Sequence, residues 1–170
     1  MLDRLWAGWR IPYIEQGDDQ RTASRSPGLS LFESIEQSGL GDDETFIVWR
    51  GTACFAMLNA FPYTSGHLMV LPKQAIAELE DLGPAEHDEL WAAVRDAVVA
   101  VKAAFRCEGV NVGVNLGAAA GAGVPGHLHV HVLPRWRGDT NFMTTVAEAR
   151  VLPEPLSDSW RKLREAWPAR

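Results

Sequence analysis

Three histidines, His127, His129 and His131, alternate with Leu128 and Val130 in the run from Gly126 to Pro134. Successive side chains of an extended segment point to opposite faces. The spacing therefore places three imidazoles on one face, about 6.6 Å apart, while Leu128, Val130 and Val132 turn into the core. A neutral imidazole whose second nitrogen is held by an acceptor can attack phosphorus through the other. Flanking rings can then donate to the phosphoryl oxygens or to the leaving group. His129, the central ring, is the candidate nucleophile, with His127 and His131 on either side. The chain has five histidines in all, and packing alone does not explain three of them on one face.

The segment Gly117-Ala-Ala-Ala-Gly-Ala-Gly123 precedes this row. Without bulky side chains, its backbone can approach a ligand closely and turn N–H groups toward phosphate oxygens. The same composition also suits an ordinary turn. Asn115, just before it, can bond a phosphate or cap that turn. Arg135 and Arg137 can attract an anion or can be solvated surface charges. A competing chemistry is metal binding, with imidazole as the donor. The end rings of the row lie about 13 Å apart at Cα by the strand rise, so three cannot easily meet one ion. Two could, with His67 or His87 as a further ligand.

These residues need elements to hold them. Ser30-Leu-Phe-Glu33 has capping-box spacing and opens a short helix through Ile35 that Gly39 can close. Thr45 to Arg50 and Ala53 to Leu58, separated by Gly51-Thr52, predict a hairpin, and His67 to Leu71 a third strand ended by Pro72. From Pro84, Leu90, Val94, Val98, Val101 and Phe105 recur at helical spacing, so one stripe faces a sheet. Val110 to Leu116 reads as a strand, then come the small-residue loop and the histidine strand. A last helix places Leu156, Trp160, Leu163 and Trp167 on one face. The pattern predicts an α+β fold with a mainly antiparallel sheet. Leu2 to Ile14 reads as an anchored arm and Glu15 to Ser26 as a surface loop.

At 170 residues and 46% hydrophobic content, one domain is the default. Cys54 and Cys107 form no C-x-x-C pair, so a reducing compartment fits. Asp3, Arg4 and Arg10 argue against a signal peptide, and no stretch approaches the ~20 apolar residues of a membrane span. The expected location is cytoplasmic. A net charge of −6 disfavours broad nucleic-acid binding while leaving a small anionic ligand open.

The run His127-Leu-His-Val-His-Val-Leu133 resembles the signature of the histidine triad (HIT) family. Leu58-Asn-Ala-Phe-Pro-Tyr-Thr-Ser-Gly-His67-Leu-Met-Val-Leu-Pro72 is similar to the family's asparagine-to-histidine segment, and Asn115 through Val124 to its phosphate loop. The Pro134-Arg135 ending resembles the Fhit-like branch. Leu5 through Ile14 and Trp136 through Phe142 resemble bacterial diadenosine tetraphosphate (Ap4A) phosphorylases and their close relatives. The resemblance implies a HIT-like fold of five strands with a long helix and a C-terminal helix. It divides one domain into an arm and loop (1–26), a core (27–143) and an extension (144–170). It implies that His129 takes up a nucleotidyl group, with His127 and His131 supporting phosphate and leaving group and His67 orienting the site. Asn59 would contact ribose, while Asn115, Gly121, Ala122 and Gly123 would hold phosphates. It further implies a homodimer whose sheets join, and no cofactor required by the chemistry, although a divalent metal can accompany the substrate. Two departures stand out. Many relatives carry a metal-binding C-x-x-C pair where this chain has Leu29 and Phe32, which argues against structural zinc. Relatives often carry Ser or Gln where this chain has Ala122 and Gly123, which leaves the acceptor group open.

Overall fold

A computed structural model describes residues 28–139 and 154–169. The expected arm over 1–26 lies outside the described residues, as do 140–153 of the C-terminal region.

The capping box forms. Glu33 N–H donates to Ser30 Oγ at 3.1 Å and Ser30 N–H donates to Glu33 Oε2 at 2.8 Å, opening α1, Leu31–Glu36. The helix stops at Gln37, before the expected Gly39, whose positive φ turns the chain onward. A single turn, α2 (Asp42–Thr45), follows that hydrophobic periodicity had not announced. Its start is signalled instead by Glu44 reaching back to the Gly41 N–H.

Five strands form one antiparallel sheet. They are β1 (Ile47–Arg50), β2 (Cys54–Leu58), β3 (Leu68–Pro72), β4 (Gly109–Val114) and β5 (Val130–Arg135), in spatial order β1-β2-β3-β5-β4. The expected α+β class and five-stranded sheet are both present. Strands β2 and β3 are buried along their whole length, because both sheet faces are covered. Helices α3 (Pro84–Phe105) and α4 (Leu156–Ala166) cover one face, where Leu90, Val94, Ala97, Val101 and Leu163 pack on Ala56, Val70, Val130 and Val132. On the other face α1 sets Phe32 against Phe55, Met57, Met69 and Leu71.

Several expected boundaries move. His67 precedes β3 rather than opening it, and Pro72 is its last paired residue, opposite Cys54. Strand β4 stops at Val114 rather than reaching Leu116. The largest change is in the histidine run, where β5 begins only at Val130. The segment before it bonds elsewhere, with His127 N–H donating to the Val124 carbonyl at 3.2 Å and Leu128 N–H to that of Ile76 at 2.7 Å. Of the three histidines, His131 alone lies in the ladder.

Two fastenings hold the sheet's far side. The Glu89 carboxylate of α3 accepts the N–H groups of Ala53 and Cys54, at 3.0 and 3.2 Å, and pins the β1–β2 turn. A Cβ at position 51 would lie 2.0 Å from Glu89 Oε1 and 2.3 Å from the Trp49 ring, so a larger residue there must displace these side chains. From α4, Trp160 Nε1–H donates to the Ile47 carbonyl at 2.8 Å and Arg164 Nη1 to that of Val48 at 3.2 Å, while Trp167 stacks on Trp49. No helix among the described residues is long and apolar enough to cross a membrane.

Candidate active site

The imidazoles gather on the α1 face of the sheet, against Phe32. His67, His127, His129 and His131 are all buried, none more than 7% exposed. The Phe32 ring lies 5.3 Å from that of His127 and 5.5 Å from that of His129. The rings of His129 and His131 are 4.9 Å apart, and those of His131 and His67 are 5.0 Å apart. The sequence-predicted row is therefore one cluster, and His67 belongs to it although 60 residues separate it from the run.

Hydrogen bonding decides where each proton sits. His129 Nδ1 lies 2.8 Å from the His127 carbonyl, which can only accept, so Nδ1 carries the proton and Nε2 keeps its lone pair. His127 Nε2 lies 2.8 Å from the Pro72 carbonyl and must donate to it; its Nδ1, 2.7 Å from Ser30 Oγ, accepts the serine proton. The Tyr63 N–H donates to His67 Nδ1 at 3.2 Å, which leaves the His67 proton on Nε2. That proton is given to His131 Nδ1 at 2.9 Å, so neutral His131 carries its own proton on Nε2. A base and a donor thus stand side by side. Burial pulls the pKa of His129 below its ordinary 6.5, opposed by the bond to the His127 carbonyl. His127 is lowered in the same way by burial, opposed by Pro72. Both rings are held neutral at pH 7. At Glu33, burial acts upward, yet hydrogen bonds from Ser30 and Ala75, with the neighbouring His127 ring, together outweigh it and bring the carboxyl below its usual value.

The remaining predicted residues divide. Asn59 adjoins the cluster: its N–H donates to the His67 carbonyl at 2.9 Å, and its Oδ1 accepts from the Phe61 N–H at 2.9 Å. Asn115 follows β4 directly, and continuing the Val114–Val130 register sets it opposite His129. In the loop, the Gly121 N–H closes on the Ala118 carbonyl at 3.0 Å and the Ala122 N–H on that of Gly117 at 3.4 Å. Those two donors serve the loop's own turn rather than standing open as a nest. Gly123 leads from this turn toward Val124, whose carbonyl receives the His127 N–H. Arg135 forms a two-point pair with Asp139, at 2.6 and 2.8 Å, and also donates to Asn111. Arg137 lies 3.4 Å from Glu108. Both arginines are thus paired with carboxylates at the surface.

The group does not suit a metal. Both nitrogens of His127 are bonded within the chain, as is Nδ1 of His129 and of His131. His87 sits half-exposed on α3, beside Asp88 and across the sheet from the cluster. Among the described residues no three His, Cys, Asp or Glu side chains gather as a metal site.

Sequence reasoning missed four participants: Phe32, Tyr63, the Pro72 carbonyl and the Ser30 hydroxyl. Ser30 had been marked, but as a helix cap. Nothing in its local pattern tells that a histidine 97 residues away shares its hydroxyl.

A model of the HIT domain matches residues 41–138. The chain belongs to the HIT family. It is 43% identical over 168 residues to an AP-4-A phosphorylase of Mycobacterium tuberculosis, covering 98% of this chain and 85% of that protein. It is 34% identical over 93 residues to a bis(5'-nucleosyl)-tetraphosphatase (asymmetrical) of Schizosaccharomyces pombe, spanning 55% of this chain and 50% of that one. Among solved structures, a Zn-bound histidine triad family protein from Mycobacterium smegmatis superposes with a TM-score of 0.65 at 27% identity, covering 81% of this chain and 91% of that chain. The HIT fold expected from the sequence is the fold observed.

Proposed function

We propose that this HIT protein is a nucleotidyltransferase that cleaves dinucleoside polyphosphates of the Ap4A kind through a nucleotidyl-His129 intermediate. The M. tuberculosis AP-4-A phosphorylase, similar over nearly the whole chain, supports that substrate class. One observation carries the chemistry: the His127 carbonyl holds the His129 proton on Nδ1, leaving Nε2 as a neutral nucleophile.

In the first step His129 Nε2 attacks the α-phosphorus. An N–P bond forms, the bridging P–O bond breaks, and ATP leaves with the electron pair of that bond. His131 Nε2–H, fixed in place by His67, donates to the phosphoryl oxygens as charge builds there. In the second step an oxygen of inorganic phosphate attacks the same phosphorus, the N–P bond breaks, and ADP leaves with His129 neutral again. Asn59 is assigned to the ribose and Asn115, Gly121, Ala122 and Gly123 to the phosphates. For the latter role Gly121 and Ala122 exchange their turn bonds for phosphate oxygens. No cofactor takes part, and a divalent cation accompanies the substrate at most.

A homodimer formed through β4 completes the reading. Among the described residues β4 is bonded along one side only, and Val112 on it and Val99 on α3 are 44% and 49% exposed. Sedimentation or light scattering would show two copies, and a single copy would remove this part. The protein acts as one domain in the cytoplasm.

The test is Ap4A turnover with and without phosphate. ADP with ATP, formed only when phosphate is present, supports the phosphorylase. AMP with ATP in both cases makes the protein a hydrolase, as the S. pombe relative's name would suggest. Tight nucleotide binding with no cleavage, and no phosphoramidate on His129 after quenching, would leave a binding module.

A further inference from the structure

His129 depends on a carbonyl, and that carbonyl belongs to a residue whose ring is clamped at both nitrogens. Residue 127 lies in a bend before β5, outside the ladder that fixes His131. Its backbone makes a 3.2 Å bond to Val124, while its ring makes shorter ones of 2.7 Å to Ser30 Oγ and 2.8 Å to the Pro72 carbonyl. The ring therefore does much to set the peptide to which His129 Nδ1 is bonded.

We propose that Ser30 is a positioning residue for the transfer reaction: its hydroxyl holds His127 as the Nε2–H tautomer and thereby aims the carbonyl that orients His129. This rests on the reading of His129 as nucleophile. The hydroxyl is itself directed. It accepts the Glu33 N–H at 3.1 Å, so its proton is turned to His127 Nδ1. Glu33 in turn receives the N–H groups of Ser30 and Ala75, at 2.8 and 3.0 Å, tying α1 to the chain that follows β3. Ala75 lies next to Ile76, whose carbonyl takes the Leu128 N–H. The α1 cap and the histidine run are thus fixed to one short stretch of backbone. Without the serine proton, His127 Nδ1 would be buried with its lone pair unsatisfied, and the ring could turn over and give up Pro72.

Three variants separate this role from helix capping. Ser30→Thr keeps both the cap and the donor. Ser30→Asp keeps the cap, since aspartate is as good an N-cap as serine, but offers an acceptor where His127 needs a donor. Ser30→Ala removes both. Turnover of Ap4A in phosphate is measured for each, together with ring-15N spectra that report imidazole tautomers. We expect Ser30→Thr to match the wild type. For Ser30→Asp we expect kcat to fall about tenfold, the size of effect that one buried hydrogen bond carries, with KM changed less than about twofold and thermal stability near wild type. Its His127 resonances should leave the Nε2–H pattern. Wild-type kcat and an unchanged His127 tautomer in both Ser30→Asp and Ser30→Ala would overturn the proposal. If the wild type turns over no adenylylated substrate, the transfer reading falls by itself. The tautomers of His127 and His129 across the three variants then still decide whether Ser30 positions them.

Discussion

Gly66 precedes His67 with φ +76°, and a Cβ placed on it would lie 2.3 Å from Phe105 Cε2 and 2.6 Å from Cζ. Replacing it by alanine therefore meets two separate costs. A non-glycine residue in the left-handed region costs about 1–2 kcal/mol. Forcing a methyl group against a packed ring costs a further ~1–3 kcal/mol. The ring cannot easily retreat, because the Trp136 ring stands 6.4 Å from it and Lys162 Nζ lies 5.8 Å from its centroid. The total is roughly 3 kcal/mol, which for a chain of 170 residues lowers the melting temperature by about 6–12 °C. Calorimetry of Gly66→Ala measures the sum, and the double variant with Phe105→Ala separates the parts. Relative to Phe105→Ala alone, the added alanine should cost only the ~1–2 kcal/mol of backbone strain. Melting within about 2 °C of wild type, or an equal cost in both backgrounds, would refute the reasoning. The backbone of residue 66 also carries His67 into its bond with His131, so kcat should fall with stability, and more than KM changes.

The other predictions are briefer. His129→Ala should reduce turnover on the order of 10³-fold or more while nucleotide affinity, read by calorimetry, is kept. His127 and His129 titrate below 6.5 in the folded chain and at the ordinary value when unfolded, so the unfolded state binds more protons in acid. Their contribution to stability is complete above pH 6.5 and is lost as pH falls toward and through the lowered folded values. Urea midpoints at pH 7.5 and 5.5 should show this loss, and a histidine-dependent rise toward acid would contradict it. Trp160→Phe keeps the packing but deprives the Ile47 carbonyl of its donor. About 1 kcal/mol should be lost in urea unfolding, and no change would mean that water replaces the indole.

The parts legible in the sequence are those where the pattern is local. The period of α3, the apolar runs of β2 and β3 and the serine-to-glutamate cap were each written in neighbouring residues, and each appears. The histidine cluster was legible too, because three histidines at alternate positions imply a shared face even where, as here, two of them precede the ladder. What escaped was long-range. That the Leu128 N–H would bond the Ile76 carbonyl instead of joining the ladder, and so start β5 three residues late, depends on which backbone lies alongside, which alternation does not record. The partners of the imidazoles escaped for the same reason. Ser30 and Pro72 reach His127 across 97 and 55 residues of chain, and one of these is a carbonyl that any amino acid could supply. The small-residue loop shows the converse. Its composition permitted an open set of donors, but Gly117 and Ala118 supply carbonyls near enough to close a turn.

The two borders of the sheet are not equivalent. At β1, side chains of α4 occupy the carbonyls of Ile47 and Val48, so a foreign strand arriving there would have to displace an indole and a guanidinium. Among the described residues, the border left open to strand addition is the opposite one. Two copies meeting through β4, as proposed, would consume the one margin left receptive among the described residues, with their outer margins already stoppered. The C-terminal helix, on the sheet face away from the histidines, would thereby make such an assembly finite and bar the open-ended stacking that an uncovered sheet invites.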